Sequence, residues 1–314
     1  MSTRITRRTS IGLVASAGAM TGQSRVAASP AGDMPAQLPG ALSFDLGGGD
    51  GQGPRRIALY VPPGTVPAAG WPVLYLLDGN AVTATAIDIE RVQAAYPDVT
   101  GITSRFAIVG IGYPVAEAYD EVRRCRDYTP PPGRTYPPFT EGGPAIRTGG
   151  AEEFLRFITD DLKPAIEQRC RIDRSRQALF GHSFGGLFVL YALAHAPTSF
   201  SHWIAASPSI YWEDRAVLRS IERLETTRVA RGRVLVLAGA YEEQLAPFHR
   251  RFDDVERRRS ALQSARIVEL ARTTADRLGR IPGLTSQFRI IPGRTHMSVL
   301  PDAVNDAVDF FMQP

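Results

Sequence analysis

Residues 181–185 read Gly-His-Ser-Phe-Gly, and their flanks decide what that pattern means. Ahead of it stands the apolar run Gln177-Ala178-Leu179-Phe180, which reads as a strand. Behind it stands Gly186-Leu187-Phe188-Val189-Leu190-Tyr191, which reads as a helix. Gly-x-Ser-x-Gly between a strand and a helix predicts a sharp turn that lifts a serine above a sheet edge. A serine hydroxyl is a poor nucleophile until the backbone presents it to a base. Gly181 and Gly185 fit because a side chain at either would crowd the turn and the close strand–helix approach. Without such flanks the pentapeptide would be only a glycine-rich connection.

The rest of the chain supplies the sheet that such a turn needs. Ala41 to Leu46 and Arg55 to Val61 read as an opening hairpin. The glycine-rich stretch 47–53 between them leads into a strand rather than a helix, so it is a turn and not a phosphate-cradling loop. Val73 to Leu77 and Phe106 to Ile111 are continuous apolar runs of the buried-strand type. Trp203 to Ala206, Val234 to Ala238 and Phe288 to Ile291 add three more strands. Helices are expected over Ala81–Ala95, Ala151–Gln168, the stretch from Phe184 to about Ala194, Arg250–Leu278 and Val299–Phe311. Strands alternating with helices predict an α/β fold with a mostly parallel central sheet covered on both faces. Residues 113–150 are rich in Pro and Gly without periodicity, and a loop of that length in a compact domain is usually functional.

At 314 residues and 44% hydrophobic content, the chain can bury one large core, expected over 41–314. The net charge of +4 is carried almost wholly by arginine, with Lys163 the single lysine. The only marked run, Arg257-Arg258-Arg259, falls in the helical 250–278 region. Such a balance suits anionic small molecules and lacks the footprint of a nucleic-acid binder. Thr6-Arg7-Arg8-Thr9-Ser10-Ile11 is similar to a twin-arginine export signal. A short apolar stretch follows from Ile11 to Met20, and Val26-Ala27-Ala28 offers small residues for cleavage. That stretch is too short to span a membrane. A leader over 1–28, a Pro/Ala/Gly-rich linker over 29–40 and a periplasmic or secreted mature chain are therefore expected; a cytosolic tail is the plainer alternative. Cys125 and Cys170 are not in metal or redox spacing; they could pair in an oxidising compartment or stay as separate thiols.

A serine nucleophile needs a base, and the base needs an orienting acid. The histidines are His182, His195, His202, His249 and His296. His182 sits inside the turn and would point away from the hydroxyl. His296 follows the last strand and precedes the last helix, where an α/β-hydrolase places its base. The acid should follow the preceding strand, where Glu242 and Glu243 are the carboxylates; Glu242 is preferred, with Glu243 the alternative. The oxyanion needs two backbone N–H donors. Phe184 is expected to supply one, and Asn80, after the turn at Leu77-Asp78-Gly79, the other.

Four segments together resemble one family: Tyr75-Leu76-Leu77-Asp78-Gly79-Asn80, Arg124-Cys125-Arg126-Asp127-Tyr128-Thr129-Pro130, Gly181 to Gly186, and Ser207-Pro208-Ser209-Ile210-Tyr211-Trp212. They are similar to the esterase-D family of α/β-hydrolases, and within it to the periplasmic esterases that open the trilactones enterobactin and salmochelin. The resemblance runs over about residues 35 to 312. It implies an α/β-hydrolase fold, Ser183 as nucleophile, His296 as base, and a Gly-x-x-Glu pattern on Gly239 and Glu242. It places on Arg124 an arginine suited to an anionic catecholate or its ferric complex. A plain Arg124–Asp127 pair is the competing reading. Tyr211 and Trp212 would stack on an aromatic acyl group or, alternatively, serve the core. Cys125 and Cys170 depart from the family pattern.

The expectation is an exported serine carboxylic-ester hydrolase acting on a trilactone siderophore, with no metal or organic cofactor and no nucleic-acid partner. The alternatives are a feruloyl or acetyl carbohydrate esterase, and a catalytically silent hydrolase-fold binding protein.

Overall fold

The computed structural model describes residues 37–48, 52–227 and 230–313. The expected leader and all of the expected linker before residue 37 lie outside them. The strands are β1 (Ala41–Leu46), β2 (Arg55–Tyr60), β3 (Trp71–Leu77), β4 (Ala107–Gly112), β5 (Thr135–Tyr136), β6 (Ile146–Arg147), β7 (Ile172–His182), β8 (His202–Ala206), β9 (Gly232–Gly239) and β10 (Leu284–Ile291). The helices are α1 (Gly79–Gln93), α2 (Pro97–Thr100), α3 (Glu121–Tyr128), α4 (Ala151–Arg156), α5 (Lys163–Glu167), α6 (Phe184–His195), α7 (Trp212–Thr227), α8 (Val255–Ala265), α9 (Ile267–Leu278) and α10 (Leu300–Met312).

Eight strands form one sheet in the order β1-β2-β4-β3-β7-β8-β9-β10, and β5 and β6 form a small separate hairpin. β2 is antiparallel to both neighbours; from β4 to β10 every pairing is parallel. This is the mostly parallel α/β-hydrolase sheet that the strand–helix alternation predicts. The apolar runs are continuous because both faces are covered. Val73, Tyr75 and Leu77 face the layer that contains α6, while Leu74 and Leu76 face the layer that contains α1 and α10. α6 is buried all round from Phe184 to Leu193, so its sequence shows no polar stripe.

Register positions the site. His182 pairs with Ala206, Ala206 with Leu237, and Gly239 with Ile291, so β7 to β10 bring their carboxyl ends to one edge. In open parallel sheets ligands bind outside that edge.

Several expectations change. Residues 113–150 hold α3 and the β5–β6 hairpin. α7 went unforeseen; its polar sequence masks a face buried at Val217, Ile221 and Leu224. The single helix expected over 151–168 contains a π turn at Phe157–Leu162. The one expected over 250–278 becomes a 3₁₀ turn, α8 and α9, broken where Arg266 takes a left-handed conformation at φ 48°. Of the two readings for Cys125 and Cys170, separate free thiols are the one observed.

Candidate active site

β7 ends at His182 and α6 begins at Phe184, leaving Ser183 at φ 59° and ψ −117°. That conformation is strained for a residue with a side chain. Backbone hydrogen bonds hold it: Ser183 N–H donates to the Ala206 carbonyl at 2.9 Å, and Ser209 N–H donates to the Ser183 carbonyl at 3.1 Å. Gly181 is required, since a Cβ there would lie 2.3 Å from the Gly185 carbonyl oxygen. The second tight position is Gly186 and not Gly185. A Cβ at Gly186 would sit 2.8 Å from the Ala206 oxygen, whereas at Gly185 the nearest atom is 3.5 Å away.

Ser183 Oγ lies 2.9 Å from His296 Nε2 and 3.3 Å from Ser209 Oγ. His296 Nδ1 lies 2.5 Å from Glu242 Oε1. Glu242 is buried on a 3₁₀ turn directly after β9, and its Oε2 accepts from Ser207 Oγ at 2.6 Å and from Gly239 N–H at 2.7 Å. Three hydrogen bonds thus fix the carboxylate and aim one oxygen at the imidazole. Glu243 is exposed and lies outside this network.

His182 is buried, and its Nε2 donates to the His296 carbonyl at 2.7 Å. Burial, then the neighbouring His296, pushes its pKa well below the ordinary histidine value. Because a carbonyl only accepts, the neutral ring carries its proton on Nε2.

A cavity of about 690 Å³ opens over Ser183 and His296. That volume falls within the usual range for small-molecule sites. Arg124, Phe184 and Tyr211 are in its wall; Asn80 and Trp212 are not. Asn80 stands exposed near the start of α1, and its side chain latches the loop after β4. Its Nδ2 donates to the Tyr113 and Val115 carbonyls at 3.0 and 3.1 Å, and its Oδ1 accepts from Tyr113 N–H at 2.9 Å. Trp212 is buried edge-on against Phe184, with ring centroids 4.9 Å apart, so it supports the wall from behind.

Arg124 pairs with neither solvent nor Asp127. It makes a bidentate bond to Asp78 at 2.9 and 2.8 Å, and Glu121 stands 4.0 Å away. Burial opposes its charge, but Asp78 outweighs that and holds its pKa above the ordinary arginine value. Asp127 instead holds Arg55 at 3.1 and 3.0 Å and accepts from Tyr113 Oη. Arg124 therefore has its charge already matched within the wall.

Comparison with known proteins gives the family. The Esterase family model matches residues 51–269. The chain belongs to the Esterase family. Ferri-bacillibactin esterase BesA of Bacillus subtilis (strain 168) is 36% identical over 265 residues, covering 82% of this chain and 85% of that protein. The siderophore triacetylfusarinine C esterase of Aspergillus fumigatus is 32% identical over 257 residues, covering 77% of this chain and 82% of that protein. The solved BES protein from Bacillus cereus superposes with a TM-score of 0.76 at 29% identity, covering 89% of this chain and 98% of that one.

Other residues with no role assigned from the sequence also stand around the site. Ser207 donates to Glu242, Asp78 holds Arg124, and Ser209 stands beside Ser183. Phe248, His249, Phe252 and Arg258 form the outer wall of the cavity. Two phenylalanines four residues apart in an otherwise charged stretch were the available signal for that wall. No helix among the described residues is long and apolar enough to cross a membrane.

Proposed function

We propose that this esterase is a serine hydrolase that opens a trilactone catecholate siderophore through an acyl-enzyme. The observation that carries the mechanism is the continuous chain from Ser183 Oγ through His296 to Glu242, at 2.9 and 2.5 Å. His296 Nε2 takes the Ser183 proton as Oγ bonds to the ester carbonyl carbon. Glu242 accepts the Nδ1 proton's hydrogen bond and stabilises the imidazolium. The Phe184 N–H, first in α6, donates to the oxyanion with the favourable end of the helix dipole behind it. His296 then protonates the departing alkoxide, leaving the acyl group on Ser183. Water, deprotonated by His296, attacks the acyl carbon; the acid is released and Ser183 regains its proton. The Asn80 backbone N–H is the second donor in this reading, while the Asn80 side chain is held by Tyr113 and Val115.

The siderophore substrate is supported by the names of the relatives and by a cavity lined with aromatic residues. Hydrolysis of enterobactin, a feruloyl sugar ester and acetyl-xylan by the wild-type protein tests it, with Ser183→Ala as the control. Preferential cleavage of the trilactone is expected. Preference for the sugar esters would replace the substrate. Activity retained in Ser183→Ala would remove the mechanism, and no activity on any ester would favour the silent binding protein.

Export through a twin-arginine signal belongs to the same reading, supported by residues 6–28 of the sequence. Fractionation of expressing cells should find the mature chain outside the cytoplasm, beginning at Ser29. Arg7→Lys with Arg8→Lys should strand the precursor inside; export unaffected by that change would reject the signal.

A further inference from the structure

The outer wall of the cavity is built by an unusual helix. α8 has no buried residue. Its half-buried positions are Val255, Arg258, Ala261, Leu262 and Ala265, which share one face at helical spacing. Four of these five line the cavity. A surface helix normally buries such a face against the core. Here the face is turned to empty space above Ser183, so a bound ligand would complete its burial.

The charge of this wall differs from that of the opposite one. Arg124 is matched by Asp78 and Glu121. Residues 246–266 carry six arginines against three carboxylates, an excess of three positive charges in a chain whose net charge is +4. Within that segment Arg257 points outward, with a side chain 81% exposed, and Arg258 points inward at 18%. Both bind Asp254, so one carboxylate faces two guanidinium groups. Arg258 uses Nε for that bond, at 2.6 Å, which leaves its terminal nitrogens free of hydrogen bonds to other described residues. Its guanidinium lies 4.7 Å from the centroid of the Phe252 ring. Phe252 and Phe248 flank His249, and both phenylalanines are half-exposed at the cavity rim.

We propose that Arg258, on the inner face of α8 beside Phe248 and Phe252, is the specificity-determining cation that receives the anionic aromatic head of the substrate. The assignment rests on the siderophore reading above and names the charge state it favours. An iron-loaded catecholate complex is a polyanion, whereas the iron-free ligand keeps its phenolic protons near neutral pH. A guanidinium beside aromatic faces attracts the first more strongly than the second. Arg124 shapes the opposite wall without offering net charge.

The test compares kcat/KM for ferric enterobactin and iron-free enterobactin, with p-nitrophenyl butyrate as a neutral ester. In Arg258→Gln the ferric-to-iron-free ratio should fall about tenfold, the size of one charge-assisted contact. The loss should appear in KM, and Arg258→Lys should recover part of it. Arg257→Gln removes an equal charge from the same Asp254 on the outward face, and should leave the ratio within about twofold of wild type. An unchanged ratio in Arg258→Gln, or an equal fall in Arg257→Gln, overturns the role of Arg258 while leaving the siderophore reading intact. Wild-type protein that cleaves p-nitrophenyl butyrate but neither form of enterobactin overturns the siderophore reading, and this assignment with it.

Discussion

His182, the residue before Ser183, donates from Nε2 to the backbone carbonyl of His296, whose ring Nε2 lies 2.9 Å from Ser183 Oγ. The turn that presents Ser183 thus also anchors the loop that presents His296. His182→Leu keeps the volume and removes the donor, leaving a buried carbonyl unpaired at a cost of about 1–3 kcal/mol. Its effect should fall mainly on kcat, by roughly tenfold, because a displaced base weakens proton transfer more than substrate binding. Steady-state kinetics on p-nitrophenyl butyrate would show it. An effect confined to KM would contradict the anchoring role.

The two neighbouring carboxylates should behave differently. Glu242→Gln leaves the imidazole without its charged partner and should lower kcat by roughly 10³-fold. Glu243→Gln changes an exposed side chain outside the network, and its kcat should stay within about twofold of wild type. Comparable losses in both would reopen the choice of acid.

The glycines of the turn carry unequal demands. Gly181→Ala and Gly186→Ala place a Cβ within 2.3 and 2.8 Å of carbonyl oxygens, whereas Gly185→Ala meets nothing nearer than 3.5 Å. The first two should lower stability by roughly 2–4 kcal/mol and the third by under about 1 kcal/mol. Urea unfolding of the three variants measures this, and a Gly185→Ala cost equal to the others would contradict the packing.

The Asp78–Arg124 pair is buried on both sides. Asp78→Asn or Arg124→Met alone strands one buried charge, at a cost of about 3–5 kcal/mol. The double variant should cost less than the two singles added together, since neither charge then remains. Additive losses in a double-mutant cycle would mean the two groups do not act as a pair.

His202 offers a pH signature. Burial pushes its imidazole down from 6.5 to about 4, with Arg233 and Arg176 adding to the shift. In the unfolded chain it protonates near 6.5, and in the folded protein only near 4, so stability present above pH 6.5 is lost as pH falls toward 4. His202→Phe removes this linkage. The stability of wild type relative to that variant should drop by roughly 2 kcal/mol between pH 7 and pH 4.5. A gap independent of pH would mean the ring titrates normally in the fold.

What the sequence determined by itself was local or ordinal. The elbow at Ser183 follows from a strand, a glycine-flanked serine and a helix that are contiguous in the chain, while which of Gly185 and Gly186 is tightly packed came from the fold. Glu242 and His296 follow from their places after the next strands, because parallel strands put their carboxyl ends on one edge. The tertiary structure decided every pairing between distant residues. Arg124 chose Asp78, 46 positions away, over Asp127 on its own helix. The Asn80 side chain was drawn to the loop after β4, and Trp212 went behind Phe184. The inner face of α8 is the sharpest case. Its arginines read as a solvated surface, because a helix facing a cavity needs no continuous apolar stripe, and only the packed fold shows which arginine points in.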